Sequence, residues 1–413
     1  MKLKIFFFLT FLVSFVGSSQ TLNDLYQKSV EAYKNKDYNN FKTYNLKALE
    51  LHPSHPTILF NLAASYALNN EKEKAYNALN KLISWNADLK FDEEEDFENL
   101  LKDTDKLDNL KSVVIKYATK IENSSLYFET QNKYHLEDFV LKDDFAYLTD
   151  VRNGIVLKYD IKNKKAKELN QLPGAAMAVI DGGKNVVWVS VAMLPQYHDY
   201  SEEKGNEGII YKMNTSDGTI LSTVQLQKKA VIGSMILAED NKIYATNSST
   251  PELLVINTNN NEIEKIIPIK EAFNLQGVTI SEDGKYVYIA DYIKGIVRIN
   301  LNDYDDRIWL RSDDYLLKGI DGLTFINNTT LIAVQNSSTP KKVIKIIHDV
   351  QQVKSISLLD NALDQLGEPT NGKFYENLGY LYIANSQWPF YNRENQPIED
   401  KWEAQTIRLL TNF

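Results

Sequence analysis

The chain has 413 residues, a net charge of −9 and a sequence pI of about 5.3. This acidic balance argues against non-specific nucleic-acid binding, which needs a positively charged surface. There is no cysteine, which excludes a disulfide framework, a thiolate metal site and a cysteine nucleophile. The length favours two domains, and 43% hydrophobic residues are enough for a folded core.

The N-terminus has the pattern of a secretory signal peptide. Lys2 and Lys4 precede an apolar stretch at 5–16, and small residues occupy 17–19. The stretch is shorter than the ~20 residues of a membrane-spanning helix. We predict a signal peptide over residues 1–19 and an exported protein, periplasmic or secreted. A short uncleaved anchor is the alternative. No later segment is long enough to span a membrane.

Residues 20–120 are predicted to form a helical domain. Glycine is absent there, and apolar residues recur at intervals of three and four. Equivalent positions in two successive helix pairs lie 33 or 34 residues apart: Ala32/Ser65, Phe41/Ala75 and Ala48/Leu82. The pattern resembles the tetratricopeptide repeat, without its usual tryptophan and turn glycine. A third helical element is predicted over Asp96–Val114.

Two roles remain open for this helical array. It offers a groove for a protein or peptide partner, or it is a spacer or lid packed on the rest of the chain. Its acidic run, Asp92–Asp96, is predicted to be a solvated helix start rather than a metal site. His52 and His55 flank Pro53 without a partner acid and are predicted to be turn residues.

From residue 135 onward one sequence motif occurs six times. It consists of a small or polar residue, an apolar strand, a turn, and a second apolar strand with aromatic residues. The copies begin at Glu137, Ala175, Gly233, Gln276, Asp321 and Thr370, at spacings of 38, 58, 43, 45 and 49 residues. Such periods are typical of a β-propeller. We predict a mainly β fold, a six-bladed β-propeller over residues 121–413, preceded by the short tetratricopeptide-like helical array.

The start of each copy predicts the position of a site. The innermost strand of each blade begins at the rim of a central channel, so the six first residues should form a ring. A carboxylate there must be hydrated, paired or bound to a cation, which singles out Glu137 and Asp321. In contrast, Asp291, Asn336 and Asn385 come at the ends of second strands and are predicted to bond loop backbone.

The phrases EDFVL with YLTDV, QGVTISEDGKYVYIAD and DGLTF resemble the regucalcin/gluconolactonase family of six-bladed propellers, over roughly residues 135–390. The resemblance implies a divalent cation in the channel, often calcium, held by residues that open blades one, four and five. The matching positions are Glu137, Gln276 and Asp321. It further implies metal-dependent hydrolysis of a lactone or similar small cyclic ester, with Asp321 taking the proton of a water molecule.

The chain also departs from that family. Blade one lacks the proline and tryptophan that follow the family's glutamate, and Gln276 stands where the family has asparagine. Glutamine keeps a carbonyl ligand on a longer arm, and calcium accepts such oxygens at about 2.3–2.6 Å. Residues 230–233 are apolar where the family's lactonases carry a substrate-binding arginine and asparagine. A metal site is therefore favoured over sugar-lactone binding.

Two loops are expected near the channel mouth. The long insertion between Met193 and Gly208 carries His198, a candidate base whose alternative is a loop histidine without a role. The aromatic segment 387–391 includes Trp388, which lines the mouth or closes the core.

Other chemistry is not indicated by the sequence. It contains no nucleophile elbow, P-loop, dinucleotide fingerprint or zinc-protease motif. The alternative hypothesis is a non-catalytic binding protein, with a small ligand in the propeller channel and a protein partner on the helices. The last strand, residues 405–410, is expected to close the ring by pairing with residues 126–128.

Overall fold

The computed structural model describes residues 21–226 and 229–413. The predicted signal peptide, residues 1–19, lies outside this range. The described chain is a helical region followed by a six-bladed β-propeller. None of the helices in these two ranges is long and apolar enough to cross a membrane.

The helical region contains two helix pairs, a four-residue helix and a final long helix. Its helices are α1 (Leu22–Lys34), α2 (Tyr38–Leu51), α3 (Pro56–Leu68), α4 (Lys72–Trp85), α5 (Glu98–Leu101) and α6 (Thr104–Ala118). Local chemistry sets the starts: Thr21 and Asp24 form a capping box on α1, and Asp37 caps α2. His52 ends α2 and His55 caps α3, so both are turn residues, as predicted.

The third helical element is broken, whereas the sequence pattern predicted one helix over Asp96–Val114. The side chain of Asp103 accepts a hydrogen bond from the backbone N–H of Lys106 and so starts α6 as a separate helix. The preceding acidic segment forms two short 3₁₀ turns and the four residues of α5.

Each blade is an antiparallel sheet of four strands, extended by a fifth in blade five; the strands follow chain order except that the early strands Ile121–Glu122 and Ser125–Glu129 lie at the outer edges of blades five and six. Blade one comprises β3 (Leu136–Lys142), β4 (Phe145–Asp150), β5 (Ile155–Asp160) and β6 (Lys165–Gln171); blade two, β7 (Ala175–Asp181), β8 (Val186–Ala192), β9 (Gly208–Asn214) and β10 (Ile220–Gln225). Blade three comprises β11 (Ile232–Leu237), β12 (Lys242–Asn247), β13 (Glu252–Asn257) and β14 (Glu262–Pro268); blade four, β15 (Leu275–Ile280), β16 (Tyr286–Asp291), β17 (Gly295–Asn300) and β18 (Asp303–Trp309). Blade five comprises β19 (Ile320–Asn327), β20 (Thr330–Gln335), β21 (Lys342–His348), β22 (Val353–Asn361) and the short β1 (Ile121–Glu122); blade six, β23 (Gly372–Tyr375), β24 (Gly379–Ile383), β25 (Thr406–Leu410) and β2 (Ser125–Glu129).

The first strand of each blade is innermost, because neighbouring blades contact each other along these strands. In β7 six of seven residues are buried, whereas β6, on the outside of blade one, has only one buried residue. The repeated motif therefore marks the two buried strands of a blade, as the sequence pattern indicated.

The ring closes as predicted, through pairing of the C-terminal strand with an early strand. β25 lies between β24 and β2, with Leu126 opposite Arg408 and Phe128 opposite Ile407. β2 is the outer strand of blade six rather than part of blade one. The two ends of the propeller sequence thus complete one sheet.

The helical region packs on blades four and five. One continuous apolar core joins residues of α3, α4 and α6 to those two blades. Polar contacts reinforce it: Lys81 Nζ donates to the Ser312 carbonyl at 2.7 Å, and Lys342 Nζ to the Ser84 carbonyl at 2.9 Å. Of the two roles left open, the structure shows a region packed on the propeller. A partner groove stays a prediction.

Candidate functional site

A cavity of about 340 Å³ lies at the end of the channel where the inner strands begin. It is lined by the starts of inner strands and by loops that follow second strands. Its lining residues are Glu137, Met177, Leu194, Gln196, Val231, Gly233, Ser248, Ser249, Gln276, Tyr292, Asp321, Asn336, Glu368 and Trp388. The structure thus brings together the three residues of the predicted metal site, from blades one, four and five.

Glu137 is the most enclosed of the three, with 5% of its surface exposed. Its carboxylate Oε2 accepts a 2.7 Å hydrogen bond from the indole N–H of Trp388. Burial, followed by the nearby charge of Asp321, raises the pKa of Glu137 well above its ordinary value, while the Trp388 hydrogen bond opposes the rise. Without a bound cation, this environment therefore favours the neutral form of Glu137.

Asp321 opens blade five and is half-buried. Its Oδ2 accepts a 2.8 Å hydrogen bond from the amide Nδ2 of Asn336. Burial, followed by the nearby Glu368 carboxylate, raises the pKa of Asp321 to about 7, although the Asn336 hydrogen bond opposes the rise. Asn336 was predicted to bond loop backbone, and that prediction is wrong. Its side chain donates to Asp321 and accepts a 2.8 Å hydrogen bond at Oδ1 from the Tyr292 hydroxyl.

Gln276 supplies the neutral member of the set. Its amide Nε2 donates to the side-chain oxygen of Asn274, two residues earlier. A methyl group on Gly233 would lie 3.4 Å from Gln276 Oε1, an ordinary van der Waals contact, so this oxygen lies beside the start of blade three. The longer arm of glutamine is thus accommodated beside a glycine of the neighbouring blade.

The three side chains share one arrangement: one polar atom of each forms a hydrogen bond, and one oxygen of each has no hydrogen-bond donor among the described residues. No described donor reaches Glu137 Oε1, Gln276 Oε1 or Asp321 Oδ1. Two carboxylate oxygens and one amide oxygen are hard donors of the kind that calcium prefers. The donor set therefore fits a divalent cation, since added positive charge would offset the burial of two carboxylates.

Only two of the three proposed metal ligands, Glu137 and Asp321, are ionisable. Within residues 21–226 and 229–413, no group of three or more histidine, cysteine, aspartate or glutamate side chains is placed to hold a metal ion. Glu368 lines the cavity but is paired with Lys341. An ion on Glu137, Gln276 and Asp321 would thus have two carboxylate ligands, and water would have to complete its coordination.

The opposite wall of the cavity is apolar. Ala175, Met177 and Met193 form a buried cluster against which Leu194 and Trp388 pack. Trp388 therefore has two contacts, one with this cluster and one with the Glu137 carboxylate. His198 does not line the cavity: it is exposed, its ring lies edge-on to Tyr197, and its Nδ1 lies 3.3 Å from the Arg152 carbonyl.

Among the cavity residues that the sequence analysis did not assign to the site are the three that act on Asp321: Glu368, Tyr292 and Asn336. Each lies in a loop rather than at the start of a repeat copy. Asn336 carried a signal, because it follows the second strand of the blade that supplies Asp321. The residues at the equivalent position of two other blades do bond backbone. Asp291 accepts from four N–H groups of adjacent loops, and Asn385 accepts from the Thr406 N–H.

Beyond Glu137 the channel is crossed by an ion pair. Asp138 is buried, and its Oδ2 lies 3.0 Å from Lys373 Nζ. A second cavity of about 340 Å³, lined in part by Lys373 and Asp181, lies at the other ends of the inner strands. The two ends of the channel therefore differ: Glu137 and Asp321 at the ring end have raised pKa values, whereas Lys373 toward the other end is paired with Asp138.

The comparisons with known proteins support the fold. No family model and no curated protein matches the chain. Among solved structures, luciferin-regenerating enzyme is similar with a TM-score of 0.50 and 13% identity, over 68% of this chain and 92% of that one. Streptogramin B lyase has a TM-score of 0.44 and 14% identity, over 69% and 97% of the two chains. The WD40 repeats of RRP9 have a TM-score of 0.46 and 9% identity, over 71% and 99%. At 13% identity, the likeness to luciferin-regenerating enzyme shows a shared fold alone.

Proposed function

We propose that this protein is an exported hydrolase that uses a divalent cation, calcium first, to act on a lactone or similar small cyclic ester in the ring cavity. The observation that carries the proposal is the meeting of Glu137, Gln276 and Asp321, from three blades, in the lining of one cavity. These residues would hold the cation, which when bound supplies charge that polarises a carbonyl group.

The chain's own groups supply the rest of the proposed chemistry. Asp321 is the candidate proton acceptor, because Asn336 holds one of its oxygens and leaves the other open to the cavity. Trp388 fixes Glu137 and, with Met177, offers an apolar surface for the body of a small ester. A ligand with one polar and one apolar side matches these two walls.

Calcium titration by calorimetry tests the site. We expect the wild type to bind one calcium ion. Asp321→Ala removes a proposed ligand, so its calcium affinity should fall by more than the about 10- to 100-fold that is typical when a hydrogen-bond partner of a metal ligand is removed. Asp181→Ala, in the cavity at the opposite end of the channel, is the matched control and should bind as the wild type does. Equal binding by Asp321→Ala, or no binding by the wild type, removes the metal site.

A panel of lactones assayed with calcium, zinc and manganese tests the reaction. Turnover that depends on the metal and is abolished in Asp321→Ala is the expected result. If calcium binds and no lactone is turned over, the second candidate stands: a non-catalytic protein that binds a small ligand in the channel. The apolar cluster around Trp388 favours that second function, since it can hold a ligand without chemistry.

A further inference from the structure

The helical region reaches the ring cavity through the loop that follows β20. At the end of α4, the Ala87 backbone N–H donates to the Thr339 carbonyl at 2.7 Å, and the Thr339 N–H donates to the Trp85 carbonyl at 2.8 Å. These two hydrogen bonds join the loop to the helical region as adjacent strands are joined in a sheet. The loop begins at Asn336, the residue that holds Asp321.

A side-chain contact runs beside this backbone pairing. The indole Nε1 of Trp85 donates to Ser337 Oγ at 3.2 Å. Ser337 in turn lies directly against Gly319: a Cβ on that glycine would be 1.5 Å from Ser337 Oγ. Gly319 is two residues before Asp321, so Ser337 is wedged between the helical region and the segment that carries the ring aspartate.

The last link is Asn336, next to Ser337. Its Oδ1 accepts from the hydroxyl of Tyr292 in blade four, and its Nδ2 donates to Asp321 Oδ2, both at 2.8 Å. An amide held on its acceptor side has one orientation available for its donor. Asn336 therefore aims Asp321, and the loop that positions Asn336 is itself held by Trp85 and its neighbours.

We propose that the helical region is a clamp that positions Asp321, with Trp85 and Asn336 as positioning residues that act through Ser337. This inference rests on the proposed function, because it assigns Trp85 and Asn336 a role toward the same ring. It gives the helical region a part in the site: the region sets the geometry of the ring rather than merely adjoining it.

A double-mutant cycle measured by urea unfolding of the full chain, without metal, tests the coupling. Trp85→Phe removes the indole donor and keeps most of the packing; Asn336→Leu removes the amide. Their effects on stability should be non-additive, because the two side chains hold one short loop. Trp309→Phe with Asn336→Leu is the control cycle and should be additive, since Trp309 lies on the outer strand β18. Additive effects in both cycles overturn the clamp.

The indole N–H of Trp85 gives a second readout, by ¹H–¹⁵N NMR. Its signal, assigned by its loss in Trp85→Phe, should shift in Asn336→Leu and should be restored toward its wild-type position in Asn336→Ser, which keeps a donor. An unchanged signal in Asn336→Leu contradicts the clamp. If Asn336→Leu does not fold, Asn336→Ala, which also removes the amide donor, is compared with the wild type instead, and an unchanged signal there contradicts the clamp.

Calcium affinity links the clamp to the ring. We expect Asn336→Leu to weaken calcium binding about 10- to 100-fold and Trp85→Phe to weaken it less, with Trp309→Phe unchanged. If the wild type binds no calcium, the proposed function fails while the unfolding cycle and the indole signal still decide on the clamp. If calcium binds and both Trp85→Phe and Asn336→Leu leave its affinity unchanged, the clamp fails and the metal site remains.

Discussion

At the scale of single residues, the ring side chains show how a fold holds polar groups ready for a ligand. Glu137, Gln276 and Asp321 each have one atom anchored by a neighbour and one oxygen free of described donors. Anchoring restricts the rotamer, so less entropy is lost when a ligand binds. Burial opposes ionisation and raises the pKa of both carboxyl groups. The same burial makes a cation the natural partner of the ring.

Gly319→Ala should be strongly destabilising. Gly319 has φ +72°, a conformation that costs an L-residue about 1–2 kcal/mol, and its new methyl group would overlap Ser337 Oγ. Gly284→Ala is the matched control, because Gly284 has φ +66° and nothing lies within 4 Å of its Cβ position. Urea unfolding should show about 1 kcal/mol lost in the control and at least about 2 kcal/mol more in Gly319→Ala. Equal losses would contradict the close packing of Ser337 on Gly319.

The ring members could be predicted from the sequence, whereas their partners could not. The alignment of repeats places Glu137, Gln276 and Asp321 at one rim, because every blade starts its inner strand there. Trp388, which donates to Glu137, is 251 residues away from it, in the loop after the second strand of blade six. Contacts between irregular loops follow from packing in three dimensions, and a period along the chain carries no information about them.

At the scale of elements, the closing strand ties the chain together. β2 and β25 pair with each other although they lie near opposite ends of the propeller sequence. Phe128 of β2 also stacks on Tyr159 of blade one, with ring centroids 4.6 Å apart. This outer strand therefore also contacts the neighbouring blade. Its pairing could be predicted because a propeller must remove its open edge, and because both segments alternate as strands do.

Phe128→Ala should cost about 3–5 kcal/mol of stability, since the side chain is 3% exposed and its removal leaves a cavity at the closure. Leu126→Ala, two residues earlier on the same strand, is the control: that side chain is 55% exposed, and its loss should change stability by no more than about 0.5 kcal/mol. Thermal or urea unfolding of both variants distinguishes them. A small effect of Phe128→Ala would mean that β2 adds little to closure.

At the scale of the whole molecule, the junction between helices and propeller uses lysines in an unusual environment. Lys342 of blade five is fully buried, donates to the Ser84 carbonyl near the end of α4, and lies 5.2 Å from the ring centroid of Tyr117 in α6. The helix C-terminus and the aromatic ring both favour a cation there. The sequence did not reveal this junction, because periodicity locates the buried face of a helix and not the blade that covers it.

The pH dependence of stability tests this buried lysine. Burial lowers the pKa of Lys342 from 10.5 to about 7, so above neutral pH the folded state loses a proton that the unfolded chain keeps until about 10.5. The unfolded state then binds more protons, so stability rises with pH between about 7 and about 10, by at most about 1.4 kcal/mol per pH unit from this one group. Below pH 7 both states are protonated and the contribution is constant.

Lys342→Met removes the titrating group and keeps an unbranched side chain in the same space. Urea midpoints measured at pH 7 and pH 9.5 should rise less in Lys342→Met than in the wild type, because the variant has no proton to release at the junction. Lys345→Met, on the same strand but partly exposed, should keep the wild-type dependence. If Lys342→Met and the wild type respond to pH alike, Lys342 remains charged in the folded protein, and the Ser84 carbonyl and the Tyr117 ring suffice to hold that charge where the helices meet the propeller.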